Sequence, residues 1–284
     1  MPEGDSVYRL KRRLDRSVLG RTVVRSQFRV PALASRDVAG RTVAEHVIHG
    51  KHLITRFSGG ASLHSHLRMD GEWSVTRPGK RLPTRLMHEV RLVWELDNGT
   101  TVWGLRLHDL ALVATEDESS LIGHLGPDPL REDWDPDEAA RRLRSQPERP
   151  LVSALLDQTA MAGLGNLWVN EIAFLTGVSP WTPIGEVDVD RLVARAAGAL
   201  RRSAFADGAI QVTTGVNKRG EDHWVSGRQG RPCLRCGTIV QMVDELADDP
   251  ANRRTWWCPH CQPGPGPEAR QVVRRGAPGS GLWP

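Results

Sequence analysis

The sequence contains little lysine, tyrosine or cysteine: its 284 residues include four lysines, one tyrosine and four cysteines. It has no apolar run of the roughly 18 residues that a membrane helix needs. Basic residues at positions 9 and 11–13 also interrupt any signal-peptide core at the N-terminus. These absences argue against a membrane-spanning or exported protein and predict a cytoplasmic one with no membrane partner.

Positive charge is present but unevenly distributed. Residues 1–100 carry 18 Lys and Arg against 10 Asp and Glu, whereas the remainder carries 20 against 24. A basic first third predicts a polyanionic partner on that part of the surface. The alternative is a generally solvated basic surface. Because arginine dominates, a retained lysine such as Lys51 can indicate chemistry that arginine cannot perform.

Hydrophobic periodicity predicts a helix followed by many short strands. Residues 5–19 have apolar positions at helical spacing, with basic residues opposite. After Gly20 the period shortens, and turn signals separate the segments. The predicted strands are 21–30, 42–49, 52–57, 61–66, 71–76, 86–95, 100–106 and 110–115. Seven or eight short strands are typical of a β-sandwich or a flattened barrel.

A Gly- and Pro-rich segment at 125–129 marks a change from strands to helices. Helices are predicted near 136–145, 151–159, 166–176 and 188–206. The chain is therefore predicted to be an α+β protein with two domains. The predicted divisions are an N-terminal domain (1–125), a linker (126–135), a helical domain (136–225), a cysteine-containing module (226–262) and a disordered tail (263–284), which is rich in Pro, Gly and Arg.

All the cysteines lie in two CxxC pairs near the C-terminus. They are Cys233, Cys236, Cys258 and Cys261. In a cytoplasmic chain this spacing predicts one tetrahedral, structural zinc site, against the alternatives of two redox pairs or spare thiols. The hairpin between the pairs would project a loop over 248–254. Arg253 and Arg254 are then candidate phosphate or base contacts, or else solvated loop residues.

The first three residues, Met1, Pro2 and Glu3, suggest a nucleophile. Methionine before proline is normally removed, which would leave Pro2 as a secondary amine beside a carboxylate. An α-amino group has a pKa of about 7.7–8.0 and is partly neutral near pH 7. Such an amine can attack an aldehyde-like carbon and form a charged iminium. The alternative is that Pro2 is simply a small, stiff terminal residue.

A glycine-rich turn at 161–166 predicts an anion site. Gly163 and Gly165 permit a backbone turn that larger residues would block. Asn166 opens the next helix, whose backbone N–H groups and dipole favour an anion such as a nucleic-acid phosphate. The alternative is an ordinary turn with a helix cap.

Four motifs occur in one order along the chain: Pro2-Glu3, Gly50-Lys51, the Gly163–Asn166 turn and the Cys₄ hairpin. Together they resemble the formamidopyrimidine-DNA glycosylase/endonuclease VIII family over residues 2–262. The resemblance implies an N-terminal β-sandwich with an N-terminal helix and a C-terminal helix–two-turn–helix domain with a Cys₄ zinc-finger β-hairpin. It also implies damaged DNA in the cleft between them, and enzymes that remove oxidised bases and cut at the resulting abasic site.

The resemblance assigns roles to individual residues. Pro2 matches the nucleophile that attacks C1′, Glu3 the acid that protonates the deoxyribose ring oxygen, and Lys51 a lysine that contacts phosphate and supports excision. For that role the pKa of Glu3 must be raised. The implied DNA-binding residues are His66, Met69, Asn166 and Arg253. Met69 matches a wedge that fills the space left by the extruded base, with core packing as the alternative.

The N-terminal Pro2–Asp5 segment resembles the endonuclease VIII branch, which prefers oxidised pyrimidines, whereas Met69 resembles the oxidised-purine branch. The stretch at 109–113 lacks the two further void-filling residues of the purine branch, and Ser6 replaces a second glutamate, for which Asp5 could substitute. The implied function is a monomeric, nucleoid-associated bifunctional glycosylase/AP lyase that acts by β- and δ-elimination. The alternatives are an oxidised-purine glycosylase, a damage-binding protein without excision, and a zinc-ribbon DNA-binding regulator.

Overall fold

The computed structural model describes residues 2–208, 211–244 and 253–267. Helix α1 (Gly4–Val18) begins the fold, and its buried stripe consists of Val7, Leu10, Leu14 and Val18. Eight strands follow: β1 (Val23–Phe28), β2 (Val43–His49), β3 (His52–Phe57), β4 (Ala61–His66), β5 (Glu72–Thr76), β6 (Val90–Leu96), β7 (Thr101–Leu105) and β8 (Asp109–Ala114). The predicted strands are all present, with ends displaced by a few residues.

These strands form two antiparallel sheets, ordered β1-β6-β7-β5 and β2-β3-β4-β8. Apolar side chains of both sheets, among them Leu53, Leu63, Trp73, Leu92 and Trp94, are buried in one core. The β-sandwich prediction is therefore confirmed. The β2–β3 connection is a tight hairpin, in which His49 pairs with His52 and only Gly50 and Lys51 remain in the turn.

The second half is helical. After the short α2 (Ser119–Ile122) come α3 (Pro136–Arg144), α4 (Leu151–Leu156), α5 (Asn166–Thr176) and α6 (Val189–Phe205). Helix α6 packs against α1, α3 and α5, so α1 contacts both halves of the molecule. A two-stranded hairpin of β9 (Gln241–Val243) and β10 (Thr255–Trp257) packs on α5 through β10.

Some features were not predicted. Periodicity did not indicate α2 or the 3₁₀ turns at Pro31–Leu33, Thr84–Glu89, Thr115–Asp117 and Ile184–Glu186. Residues 263–267 lie against the helical domain, where the Ser179 hydroxyl donates to the carbonyl of Pro265 at 2.5 Å. Met1, most of the hairpin loop and residues 268–284 of the predicted tail lie outside the described residues. Among the described helices, none combines the length and apolar character needed to cross a membrane.

Candidate active site

The start of the chain is inserted between the two halves of the molecule. Glu3, which caps α1, is fully buried. The amide of Gly4 donates to the carbonyl of Gly163 at 2.9 Å. A Cβ atom on Gly4 would lie 3.0 Å from the Gly163 Cα, so a side chain at position 4 would push the two segments apart. The N-terminus is thus held directly against the glycine-rich turn.

The Glu3 carboxylate lies at the N-terminus of α5. Its Oε2 accepts a hydrogen bond from the amide of Gly165 at 2.7 Å, and its Oε1 accepts one from Leu167 at 2.8 Å. The first N–H groups of a helix have no partner within it and attract negative charge. Two of the amides at this turn thus donate to the protein's own carboxylate, and the phosphate contact expected at Asn166 stays a prediction.

Burial raises the pKa of Glu3 from its usual 4.5 to about 7. The nearby Asp5 carboxylate raises this pKa further, whereas the positive charge of Lys51 and the two amide donors lower it. The loss of solvation is the larger effect. A substantial fraction of Glu3 therefore carries a proton near pH 7, which a general acid needs.

Lys51 lies at the tip of the β2–β3 hairpin. Gly50 adopts a positive φ of 59°, and a Cβ there would approach Ala162 to 3.2 Å, so the turn packs closely on the 161–166 segment. Burial lowers the pKa of Lys51 to about 8, with the Glu3 charge raising it and the Arg253 charge lowering it. These charge effects show that Lys51, Glu3 and Arg253 lie near one another, although the three come from distant parts of the sequence.

Asp128 positions this hairpin and was not identified from the sequence. Its side chain is buried and accepts hydrogen bonds from the amides of Gly50 at 2.7 Å and Leu130 at 2.8 Å. Burial raises the pKa of Asp128 to about 6. In the sequence it stands between two prolines, where aspartate is an ordinary turn residue. Only the long-range contact to Gly50 distinguishes it.

Pro2 is half-buried and lines a groove of about 680 Å³ that also borders Ser6, Arg9, Trp73 and Gly208. The guanidinium of Arg9 donates to three carbonyl oxygens in the last turn of α6 and just after it, those of Ser203, Ala206 and Gly208. This contact fixes the far wall of the groove. The Pro2 ring is therefore accessible from a cleft with a basic wall.

Asp5 is buried beneath this groove. Its carboxylate accepts hydrogen bonds from Trp168 Nε1 at 3.1 Å, the Ser203 hydroxyl at 2.6 Å and Gln211 Nε2 at 3.2 Å. Asp5 thus ties α1 to α5 and to the segment after α6. Its charge also raises the pKa of Glu3. Asp5 can therefore assist Glu3 in the way expected of a second carboxylate.

The loop between β4 and β5 presents Met69 to solvent. Its side chain is 70% exposed, so core packing does not explain this methionine. Arg106 Nε donates to the carbonyl of Asp70 at 2.8 Å, and the Arg68 guanidinium pairs with Asp109 at 2.9 Å. Both contacts hold the loop. His66 precedes it at the end of β4, next to the Lys51 charge.

Helix α5 also holds the hairpin that carries Arg253. Asn166 Nδ2 donates to the carbonyl of Arg254 at 3.0 Å. One turn further on, the buried Asn170 accepts from the amide of Trp256 at 2.8 Å. Sequence reasoning missed Asn170. Its spacing of four residues from Asn166 was the available signal, because residues at that spacing share one helix face.

Glu171, next along α5, is a further buried carboxylate that the sequence did not reveal. It accepts hydrogen bonds from the amides of Trp224, Val225 and Ser226 at 2.8–2.9 Å. Ser226 therefore contributes here through its backbone amide. Glu171 connects the helical domain to the chain that leads into the cysteine module.

The four cysteines converge as predicted. All four sulfur atoms lie within 4.8 Å of one another, with 4.0 Å between Cys233 and Cys261 and 3.5 Å between Cys236 and Cys258. Four sulfurs at about 2.3 Å from a tetrahedral zinc ion would be about 3.8 Å apart. The cluster therefore fits one metal ion, and four thiolates leave no position for a substrate.

Comparisons with known proteins agree with this architecture. A family model described as "Formamidopyrimidine-DNA glycosylase N-terminal domain" matches residues 1–110, and one described as "Formamidopyrimidine-DNA glycosylase H2TH domain" matches residues 125–214. The "Probable endonuclease 8 2" of Streptomyces coelicolor is 47% identical over 269 residues, which are 94% of this chain and 96% of that protein. The "DNA-(apurinic or apyrimidinic site) lyase Nei2" of Mycolicibacterium smegmatis is 40% identical over 265 residues, 92% of this chain and 99% of that protein.

Among solved structures, a complex of Lactococcus lactis Fpg with DNA containing an abasic site has a TM-score of 0.76 at 24% identity, covering 93% of this chain and 100% of that chain. The chain belongs to the formamidopyrimidine-DNA glycosylase/endonuclease VIII family, whose members are DNA glycosylases with AP lyase activity. Its relatives at 40–47% identity belong to the endonuclease VIII branch, so the predicted fold, enzyme class and branch are confirmed.

Proposed function

We propose that this protein is a bifunctional DNA glycosylase/AP lyase that removes oxidised pyrimidines through a Schiff base on Pro2. The observation that carries the proposal is the buried Glu3 carboxyl, whose pKa of about 7 suits a proton donor and which directly follows Pro2. Among the charges that act on Glu3, the largest effect is that of Lys51, a residue suited to holding a phosphate. The proposal requires removal of Met1, because Pro2 is a nucleophile only as a free amine.

In the first step the neutral Pro2 nitrogen attacks C1′ of the damaged nucleotide, the bond from C1′ to the base breaks, and the proton that the Pro2 nitrogen loses goes to the departing base. Glu3 gives its proton to the deoxyribose ring oxygen, so the sugar opens and the Pro2 nitrogen becomes an iminium. Loss of a proton from C2′ expels the 3′ phosphate by β-elimination. A second loss of a proton, from C4′, expels the 5′ phosphate by δ-elimination and leaves the sugar remnant on Pro2 for hydrolysis.

Lys51 and Arg253 are proposed to hold the phosphates that flank the lesion. With a pKa near 8, Lys51 is mostly cationic at pH 7, and both side chains are charge-assisted donors. His66, Met69 and Asn166 are proposed DNA contacts, with Met69 as the wedge that replaces the extruded base. The exposure of Met69 and the bonds that fix its loop support this role.

The four cysteines are proposed to hold one zinc ion, which would be structural. Their sulfur separations suit a tetrahedral site. Metal binding would stabilise the hairpin and, through the contacts of Asn166 and Asn170, the position of Arg253 beside Lys51.

The preference for pyrimidines is supported by the relatives named endonuclease 8 and by the 109–113 stretch, which lacks the void-filling residues of the purine branch. The first test is borohydride trapping on an oligomer with one abasic site, with mass spectrometry of the adduct. We expect a covalent complex on Pro2 in protein that lacks Met1. A panel of single-lesion duplexes then separates pyrimidine from purine preference. Tight lesion binding without an adduct would instead identify a damage-binding protein.

A further inference from the structure

A group of histidines lies beside Lys51 on the β2-β3-β4-β8 sheet. His52 and His66 are directly paired across β3 and β4, and their rings are 4.8 Å apart. His64 lies two residues before His66, and its Nε2 is 2.7 Å from Nδ1 of His52. The positive charge of Lys51 acts on His66, so the group adjoins the proposed active site. No role assigned above accounts for His52 or His64.

The short contact between His64 and His52 determines their tautomers. One of the two nitrogens must carry the hydrogen and the other must accept it. The remaining nitrogen of His64, Nδ1, is buried without a hydrogen-bond partner in the described structure. If His52 donated, His64 Nδ1 would be an orphaned buried N–H, and such groups are rare. His64 Nε2–H is therefore the donor, which leaves His52 with its hydrogen on Nε2.

This assignment also places both rings in the tautomer that a free histidine side chain favours, with the hydrogen on Nε2. The opposite assignment would place both rings in the less favoured form. His66 reaches the same state by another route, because its Nδ1 accepts a hydrogen bond from the amide of Arg68 at 3.1 Å. Three neighbouring histidines thus all carry hydrogen on Nε2.

The rings of His52 and His66 present these hydrogens outward. Their Nε2 atoms have no hydrogen-bond partner within the described residues and are not among the buried unpaired atoms there, so both are open to solvent. Burial, with the neighbouring histidines, lowers the pKa of His52 to about 3, and burial lowers that of His66 to about 4. Both rings are then neutral donors at pH 7.

We propose that His52 joins the expected DNA contact His66 as a second donor to one DNA phosphodiester next to Lys51, and that His64 is a positioning residue that fixes the tautomer of His52. Both outward atoms are donors, so the ligand must be an acceptor, and the ring spacing allows both to reach oxygens of a single phosphate. The DNA ligand rests on the proposed function, whereas the tautomers rest on the protein alone.

The tautomers are tested without DNA, by long-range proton–nitrogen NMR of the full chain labelled at histidine. We expect His52 and His64 to carry hydrogen on Nε2 at pH 7. His64→Leu should let His52 exchange between tautomers, whereas His64→Gln should restore the wild-type signal, because the glutamine amide can donate in the same place. Hydrogen on Nδ1 of His52 in the wild-type protein would overturn the assignment, whatever the enzyme does to DNA.

The phosphate contact is tested by binding to a duplex with an uncleavable abasic analogue. We expect His52→Phe to weaken binding about 10-fold, as loss of one hydrogen bond to a charged group does. Because a neutral donor displaces no counterion, the dependence on salt should not change, whereas Lys51→Ala should reduce that slope by about 0.9.

Replacing the contacted phosphate with a methylphosphonate should abolish the difference between wild type and His52→Phe. If His52→Phe reduces the salt slope as Lys51→Ala does, or if no single methylphosphonate removes its effect, the neutral phosphate site is wrong. Failure of Pro2 trapping with these results intact would refute the proposed chemistry and leave the phosphate site standing.

Discussion

Glu3 packs so closely on Gly165 that the position of its carboxylate depends on residue 165 having no side chain. The Gly165 amide donates to Glu3 Oε2 at 2.7 Å, and a Cβ on residue 165 would lie 2.5 Å from the Glu3 carboxyl carbon. Real Cβ atoms do not approach so closely, so an alanine at 165 must move the carboxylate. The glycine at 165 is therefore required by the proposed acid and not by its backbone, because its φ of −124° is one that any residue can adopt.

We expect Gly165→Ala to reduce single-turnover excision of an oxidised pyrimidine at least 100-fold, because a misplaced acid loses most of a general-acid contribution of about 10²–10⁴. Gly198→Ala is the matched control. It lies within α6, and its Cβ would meet only the end of the Arg202 side chain, at 3.3 Å. Normal excision by Gly165→Ala, in protein with an unchanged melting temperature, would show that the contact does not place the acid.

The raised pKa of Glu3 predicts a pH dependence. The protonated carboxyl is lost as pH rises through about 7, so excision should fall above that pH. Glu3→Gln should have low excision without this decline, while retaining more cleavage of a preformed abasic site. Single-turnover rates between pH 5.5 and 9 on both substrates provide the measurement. Equal loss of both activities in Glu3→Gln would contradict the division of roles.

The same shift has a consequence for stability. Because the folded-state pKa lies above that of an exposed glutamate, the contribution of Glu3 to stability is fully present below about pH 4.5 and is lost as pH rises through about 7. The loss is at most roughly 3 kcal/mol. Comparing denaturant unfolding of Glu3→Gln and wild type at pH 5 and pH 8 isolates this contribution. The variant should gain relative stability at the higher pH.

The sequence predicted those parts of the site that depend on local chemistry. A terminal proline next to a glutamate, paired cysteines and a glycine-rich turn each require particular residue types, so Pro2, Glu3 and Cys258 could be identified directly. Strands and helices followed from periodicity. The short helix α2 did not, because four residues are too few to establish a period.

Residues that act through long-range contacts could not be predicted. Asp128, Asn170 and Glu171 are ordinary polar residues in the sequence, and each is distinguished only by the backbone amide that it meets after folding. For the same reason, the sequence did not show that Glu3 lies at the N-terminus of α5. A helix N-terminus predicts an anion, but only the fold brings Glu3 there.

Asp128 provides a test of how Lys51 is positioned. Removing its carboxylate leaves the buried amides of Gly50 and Leu130 unpaired, which should destabilise the protein by about 2–3 kcal/mol in Asp128→Ala. We also expect excision to fall about 10- to 100-fold as the hairpin tip shifts, with binding to undamaged DNA little changed.

Asp133→Ala is the control, since that side chain is 67% exposed in an ion pair with Arg131 and its loss should cost less than about 1 kcal/mol. Equal effects of the two substitutions would show that Asp128 acts only through its negative charge and not through its hydrogen bonds to the hairpin.

Asn170 tests whether α5 controls the hairpin separately from the metal. Its Oδ1 accepts from the Trp256 amide at 2.8 Å, and its Nδ2 donates to the carbonyl of Asn166 at 2.6 Å. Asn170→Ala therefore removes the acceptor of the Trp256 amide and a donor to Asn166. We expect the metal content of Asn170→Ala to stay at one ion per chain, because no cysteine moves. Binding to an abasic-analogue duplex should weaken about 10-fold as Arg253 shifts away from Lys51.

Gln241→Ala, an exposed position on the same hairpin, should bind normally. Cys258→Ser should lose both metal and binding. If Asn170→Ala also lost the metal, the helix and the cysteine cluster would form one cooperative unit, and the contact could not be credited with placing Arg253 by itself.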